Sequence, residues 1–317
     1  MSKYIIRRLL LCLVTFFGIT VIVFIMNNMA PGSPLDALLA DPGMTVQEME
    51  RRAQQLGLDQ PLFVQYFSWL GELLKGNLGF SFRMSRSVNS IIAERLGPTL
   101  LLTFTSLVIA YLIAIPIGIA SAKHPYSLGD YISSAGALTA TALPGFFMGM
   151  IFIYVFALKL KWLPIGGMYS SSSDKSFWSM LQHLMLPAMC LAIQQIGNVM
   201  RQVRSNMLEV LGEDYVRTAR AKGVSEHNVV YQHALRNAMI PVVTLFGTSI
   251  PFLIGGAVVT EQIFSWPGIG MLMVSSIQAR DYPVIMGITV VVSIAVLLGN
   301  LLVDLAYGLL DPRIRYD

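Results

Sequence analysis

Charge is what this chain has least of. Only 13% of its 317 residues are Asp, Glu, Lys or Arg, about half the share of an ordinary soluble domain. With 55% of residues hydrophobic and a mean hydropathy of +0.63, too few solvating groups remain to cover a water-facing surface, and a membrane protein is indicated before any motif is read. Cysteine is nearly absent. Cys12 and Cys190 stand alone in apolar runs, giving neither a disulfide framework nor a zinc spacing, and both read as small buried hydrophobes. The histidines His124, His183, His227 and His233 fall at run ends or in loops, without metal-ligand pairing or a neighbouring nucleophile. No Gly-x-x-x-x-Gly-Lys-Ser/Thr occurs, so ATP hydrolysis by this chain is not expected. The net charge of +4 is spread along the chain rather than set with aromatics in a stripe, which argues against nucleic acid. Deep acids are missing too: Asp304, one turn after Asn300, sits near the end of the last apolar run, and a paired or snorkelling carboxylate explains it better than a proton relay.

What is there in quantity is apolar sequence of spanning length. Runs at Leu9–Met29, Leu100–Ala122, Ile132–Leu158, Leu181–Met200, Ala238–Val259 and Val284–Leu305 predict six transmembrane helices in an all-α chain. The first run is longer than a signal-peptide core and no small-x-small site follows it, so a retained span is expected. Alternation from an inside N-terminus places both termini in the cytoplasm. Lys3, Arg7, Arg8, Lys123, Arg201, Arg204, Arg217, Arg220, Lys222, Arg236, Arg313 and Arg315 then lie inside, against Lys159, Lys161, Lys175 and Arg280 in the short outer segments. Three parts are expected: residues 1–29, an extracytoplasmic loop at 30–97, and a core of five spans at 98–317 that includes an inner loop at 201–237. The outer loop shows helical periodicity at Val46–Leu56 and Pro61–Leu74, where Leu62, Gln65, Tyr66, Trp69 and Leu73 share a face.

Inside the spans, polar and helix-breaking residues are the candidates. Gln194, Gln195 and Asn198 are too polar to face lipid and suit either a hydrated path or interhelical bonding. Thr139, Thr141, Thr244 and Ser249 are weaker candidates of the same kind. Pro116, Pro144, Pro187, Pro241 and Pro251 predict kinks, as hinges or as fixed packing. Gly145, Gly149, Gly247, Gly255 and Gly256 predict close helix approach.

The longest polar segment of the second half, Glu213–Pro241, reads as two short helices joined at a glycine. Gly212 is expected to cap the first, with Glu213 and Asp214 in its first turn and Gly223 at a left-handed stop. Ser225 is expected to cap the second. Glu213 and Arg217 share a face, worth only about a few tenths of a kcal/mol, too little to account for the charges by stability alone.

These residues carry a resemblance. D-Y-x-R-T-A-R-A-K-G at 214–223 and H-A-L-R-N-A-x-I-P-V-V at 233–243 resemble the coupling loop of ATP-binding-cassette importer permeases. The family's Glu-Ala-Ala triplet falls on Arg217-Thr218-Ala219, and its Ile-x-Leu-Pro on the positions of His233, Leu235 and Arg236. Those departures resemble the dipeptide and oligopeptide branch, as do Y-I-I-R-R at Tyr4, A-P-G-S-P at Ala30 and Y-G-L-L-D-P-R-I at Tyr307. The resemblance implies a type I importer permease in the plasma or inner membrane, pairing with a homologous permease, two ATPases that bind ATP and Mg, and an extracytoplasmic binding protein that delivers peptide. It implies ATPase coupling through Glu213, Asp214, Tyr215, Arg217, Thr218, Ala219, Arg220, Ala221, Lys222, Gly223, His233, Arg236 and Asn237. It also implies an outer gate at Phe264, Trp266, Pro267 and Gly268, in a segment that otherwise reads as an aromatic belt and turn, with Gln194, Gln195 and Asn198 along the path. Nickel, a metallophore or glutathione are alternative cargoes of the same architecture; a proton-driven secondary carrier is the alternative of another class.

Overall fold

The computed structural model describes residues 2–29, 59–171 and 173–310; the helix expected at Val46–Leu56 lies outside them. In chain order the elements are α1 (Ser2–Met29), α2 (Leu62–Leu74), β1 (Phe80–Ser81), β2 (Arg86–Ser87), α3 (Val88–Lys123), α4 (Leu128–Ala142), α5 (Gly145–Phe152), α6 (Phe177–Leu211), α7 (Asp214–Ala221), α8 (Glu226–Asn228), α9 (Leu235–Ala238), α10 (Ile240–Ile263), α11 (Ile269–Ala279) and α12 (Tyr282–Leu310). Wider π-helical turns succeed α5 at Ile153–Lys159 and α8 at Val229–Ala234. Apart from one two-residue ribbon the described chain is helical, and each of the six expected spans falls on helix. Ile6–Met29, Val88–Lys123 and Tyr282–Asp304 are each long and apolar enough to cross a membrane unbroken.

The third span is not one helix. Leu128–Ala142 and Gly145–Lys159 meet at 107°, a far sharper change of direction than the kink expected from Pro144. Proline disfavours helical backbone in the residue before it, and Leu143 is extended at φ −81°, ψ 134°. Pro144 then opens α5, its carbonyl accepting from the amides of Phe147 (3.0 Å) and Met148 (3.2 Å). Pro187, by contrast, sits within a continuous α6.

Two compact units are present. Of the described residues, the first takes in 2–29, 59–98 and Gly268–Leu301. Here α2 turns Leu70 and Leu73 inward with Tyr66 and Trp69, against Phe16 and Val290, as its periodicity predicts. The Tyr66 hydroxyl lies 3.1 Å from Thr20 Oγ1. Leu62, expected on that face, is exposed. The ribbon pairs Phe80 with Ser87 and Ser81 with Arg86, and Ser81 donates to the buried Asp281 carboxylate. Val88, Ile91 and Ile92 pack on Ile269, Leu272, Val284 and Ile288. Helix α11 starts at the end of the segment expected to be belt and turn and runs on through residues for which no element was expected; it is short, and its mixture of Gly, Met and Ser hides the period.

Of the described residues, the second unit holds those in Thr99–Pro267 and 302–310. It is built around α6. A Cβ added to Gly197 would stand 2.6 Å from the Ala137 carbonyl, and one on Gly118 2.8 Å from Val203 Cβ, so these two glycines let α4 and α3 lie directly on α6. The predicted approach at Gly247 is closer still, 1.8 Å to Val303 Cγ2, and that at Gly149 is 3.3 Å to Ile263 and Phe264.

Candidate functional site

The polar loop begins where α6 stops. Gly212 is the last residue of that stop, its amide bonded to Glu209 O at 3.0 Å, rather than the cap of the next helix. Glu213 takes the cap position of α7 in extended backbone, without a side-chain bond. At the other end Gly223 is left-handed at φ +78°. Its amide reaches Arg220 O (2.9 Å) and that of Val224 reaches Ala219 O (3.2 Å). This paired closure satisfies the last carbonyls of α7 and fixes its length.

One face of α7 is buried inside the loop. Val216 and Ala219 pack with Val229, Val210, Leu211 and Val224. Ala219, expected among the contacting residues, is therefore turned inward. The outward face shows Asp214, Arg217, Thr218, Ala221 and Lys222. Arg217 bonds Asp214 at 3.4 Å rather than Glu213, with side chains 71% and 95% exposed, a pair that adds almost nothing to stability.

Two side-chain bridges hold α7 against the α8–α9 half of the loop. The Arg220 guanidinium grips Glu226 with Nε to Oε2 at 3.1 Å and Nη2 to Oε1 at 2.8 Å. Those bonds hold the Glu226 carboxyl below its ordinary range and raise the guanidinium's own affinity for its proton. Asn237 Nδ2 donates to the Tyr215 hydroxyl at 2.8 Å, tying α7 to α9. Ser225 holds the cap position of α8 without a side-chain bond, and the His227 and Tyr231 rings stack at 4.7 Å. His233 and Arg236 are exposed on the same stretch.

Below the loop, α6 carries polar contacts that sequence reading missed. Arg204 Nε and Nη2 bond Asp130 Oδ1 and Oδ2 at 2.6 and 2.7 Å, with the Asp130 side chain only 4% exposed. Asp130 also accepts from Ser121, from the Tyr126 amide at 2.9 Å and from Ser134 at 3.4 Å. A signal was there: Ser127 precedes Asp130 by three, a helix-start pattern, and Ser127 Oγ does accept the Asp130 amide at 3.3 Å. Gln202 Nε2 bonds Asn206 Oδ1 at 2.7 Å, and Asn206 Nδ2 donates to Ala238 O at 3.1 Å, where α9 ends and Pro241 is about to begin α10.

The expected path residues divide. Gln194 lies at the broken third span, Nε2 at 3.5 Å from Leu143 O, so α6 supplies a donor for a carbonyl that the break leaves open; Cys190 Sγ is 3.4 Å from Gly145 O in the first turn of α5. Gln195 is buried. Asn198 is exposed and accepts from Arg201 at 3.0 Å. Thr139, Thr141 and Ser249 bond carbonyls of their own helices; the Thr244 side chain lies outside those described.

At the other end of the second unit, Phe264 is buried with Met148, Leu186 and Cys190, and Trp266 with Leu102, Leu184, Ala188 and Ala257. Phe264 O accepts the Gly167 amide at 2.8 Å, and a Cβ on Gly166 would meet that oxygen at 2.4 Å. His183 Nδ1 is 2.9 Å from Gly166 O. Thr99 donates to the buried Glu261 at 2.6 Å. The aromatics expected at a gate are thus packed side chains. Pro267 closes this unit, and Gly268 opens α11 in the other. No group of three or more metal-ligating side chains occurs among the described residues.

Two family models match. Residues 114–316 match the binding-protein-dependent transport system inner membrane component, and residues 1–103 the N-terminal part of such membrane components. The chain is 47% identical over 317 residues to a putative peptide permease protein of Brucella ovis, covering 99% of each. It is 44% identical to the oligopeptide transport system permease protein AppB of Bacillus subtilis over the full length of both. It is 43% identical to the glutathione transport system permease protein GsiC of Escherichia coli over the full length of both. Among solved structures the inward-facing MetNI methionine ABC transporter superposes with a TM-score of 0.58 at 17% identity, over 70% of this chain and 96% of that one.

Proposed function

The chain belongs to the binding-protein-dependent transport system inner membrane components, and from that premise we propose that it is the peptide-conducting permease of an ATP-driven importer. The family is that of transport-system inner membrane components, and relatives are named as peptide, oligopeptide and glutathione permeases. In the proposed assembly it pairs with a homologous permease, receives short peptides from an extracytoplasmic binding protein, and is driven by two ATPases that hold ATP and Mg. The chain's own part is mechanical rather than catalytic.

The observation that carries this reading is α7. It is a short helix fixed at its far end by the left-handed Gly223, braced by Arg220–Glu226 and Tyr215–Asn237, and charged on an outward face whose internal pairing is nearly worthless energetically. A stiff exposed helix of this kind suits a groove on an ATPase. Asp214, Arg217, Thr218, Ala221 and Lys222 are the contacting residues in this reading; Glu213, Tyr215, Ala219, Arg220, Gly223 and Asn237 hold the helix in shape, and His233 and Arg236 flank it. Rigid-body motion of the ATPases then moves α7 and, through it, the spans. Gln194 and Asn198 would offer uncharged hydrogen-bonding groups to a peptide backbone, with Gln195 beneath them. Opening at Phe264–Gly268 would require Phe264 and Trp266 to leave their packing.

The test is uptake of a labelled di- or tripeptide into proteoliposomes holding this chain with the permease, ATPases and binding protein encoded beside it. ATP-dependent accumulation supports the reading, and hydrolysis without accumulation overturns the cargo. Glutathione is the second reading, favoured by the full-length likeness to a glutathione permease; chelated nickel is third in that assay.

A further inference from the structure

We infer that α6 is a transmission rod with two polar grips, and that Arg204 and Asn206 are the positioning residues that deliver movement of α7 to the third and fifth spans. The inference rests on the proposed ATPase contact at α7, but not on the cargo.

The rod is one continuous 35-residue helix, Phe177–Leu211, which enters α7 through Gly212 and Glu213 alone. Arg204 and Asn206 lie two residues apart, so they leave the helix about 200° from one another, roughly 8–11 Å before its end. They grip different elements. Arg204 closes on Asp130 at the base of α4, the inner half of the broken third span, through two parallel bonds of 2.6 and 2.7 Å. Asp130 is tied in turn to the end of α3 through Ser121 and to the connecting loop through the Tyr126 amide. Asn206, 8% exposed, holds Ala238 O at the point where the helix is interrupted before Pro241. Its neighbour Asn237 is held by Tyr215 of α7. The break that begins the fifth span is thus tethered on one side to the rod and on the other to the coupling helix.

Apolar packing alone would keep these elements together, since Ala137, Val199, Met200, Val203, Met207, Ala238 and Val242 form one buried cluster. Close packing already resists sliding; a bidentate ion pair and a directed amide bond narrow the permitted geometry further. Such bonds help a displacement at one end of a packed bundle to arrive at the other as displacement rather than slippage. The broken third span and the interrupted fifth span are the two places able to turn it into a change of helix direction.

The experiment compares hydrogen–deuterium exchange of the purified permease–ATPase complex, without peptide, in ATP–Mg–vanadate and in its nucleotide-free form. In the unsubstituted complex α7, residues 128–142 and residues 238–247 all respond. In Arg204→Gln the response of 128–142 falls at least fivefold, and in Asn206→Leu, which is close in volume but has no donor, that of 238–247 falls likewise, while α7 still responds. Arg204→Lys, which keeps a positive charge beside the buried Asp130, gives a partial loss at 128–142, and Gln202→Ala, which removes the bond to Asn206 Oδ1, a partial loss at 238–247. Full responses in all four variants, or losses spread equally over α7 and both segments, overturn the rod. No response at α7 in the unsubstituted complex, together with no protection of α7 relative to the permease without its ATPases, overturns the ATPase contact itself. A failed peptide-uptake assay touches neither result.

Discussion

Asn237 donates a 2.8 Å hydrogen bond to the hydroxyl of Tyr215, 22 residues earlier in the chain. It is the direct polar bridge between the two halves of the polar loop on the side away from Gly223. A bond of this kind contributes about 0.5–1.5 kcal/mol, or about two- to tenfold in the population of the braced form. Tyr215→Phe keeps the ring and removes the bridge. Peptide uptake is expected to fall about two- to tenfold at unchanged membrane levels, with the Asn237→Ala change no worse when combined with it. Additive losses in the double variant would mean that the two side chains act separately.

Gly223 makes a different prediction from the one its position alone suggests. A Cβ there meets no atom within 4 Å, yet φ is +78°, so substitution strains backbone without causing a clash. Left-handed backbone costs an ordinary residue about 1–2 kcal/mol and Asn less. Gly223→Asn should therefore keep most uptake and Gly223→Val should lose most of it, both inserting normally. Equal behaviour of the two, read by uptake and by membrane level, would remove the left-handed stop from the mechanism.

The stop at Gly223 was legible because it is written in one residue, and so was the alternation of apolar runs that gives the spans. Contacts between residues far apart were not. Arg204 looked like one more inner positive charge, yet it closes on the buried Asp130, because only the packing of α4 on α6 through Gly197 brings the two together. Arg217 was expected to pair with Glu213 from helix spacing, but Glu213 is the cap residue and lies outside the helix. Pro144 and Pro187 looked alike in sequence. One turns the chain by 107° and the other sits in an unbroken helix; at the first, α6 brings Gln194 to the open carbonyl of Leu143.

The Arg220–Glu226 pair sets a pH dependence whose sign is given by the geometry. Arg220 depresses the Glu226 carboxyl below the ordinary value of 4.5. A depressed acid stabilises the fold above its unfolded value, and the contribution is lost as pH falls through the lower folded value. The contribution of this pair should be constant between pH 8 and 6 and be lost only below about 4.5. Carbon NMR of labelled Glu side chains checks it: Glu226 should titrate below its ordinary value, and in Arg220→Gln return to it. Both groups are well exposed, so the effect on global stability should be small.

Trp266 separates a gate from a packing role. Its side chain is wholly buried, against Leu102, Leu184, Ala188 and Ala257, in a second unit where neighbouring Phe264 O also holds the Gly167 amide. Truncation to Ala costs about 3–5 kcal/mol in such a site, so lost uptake in Trp266→Ala would by itself say nothing about gating. Trp266→Phe is the informative change, because it keeps an aromatic in the cavity at a smaller penalty. If the segment gates transport by unpacking Trp266, Phe should release it more readily: the complex should hydrolyse ATP faster without the binding protein while its thermal midpoint falls by only a few degrees. If Trp266 is packing alone, hydrolysis without the binding protein should stay unchanged as the midpoint falls. A raised rate that disappears when Leu184→Phe refills the cavity would fix the effect on this contact and not on the wider fold.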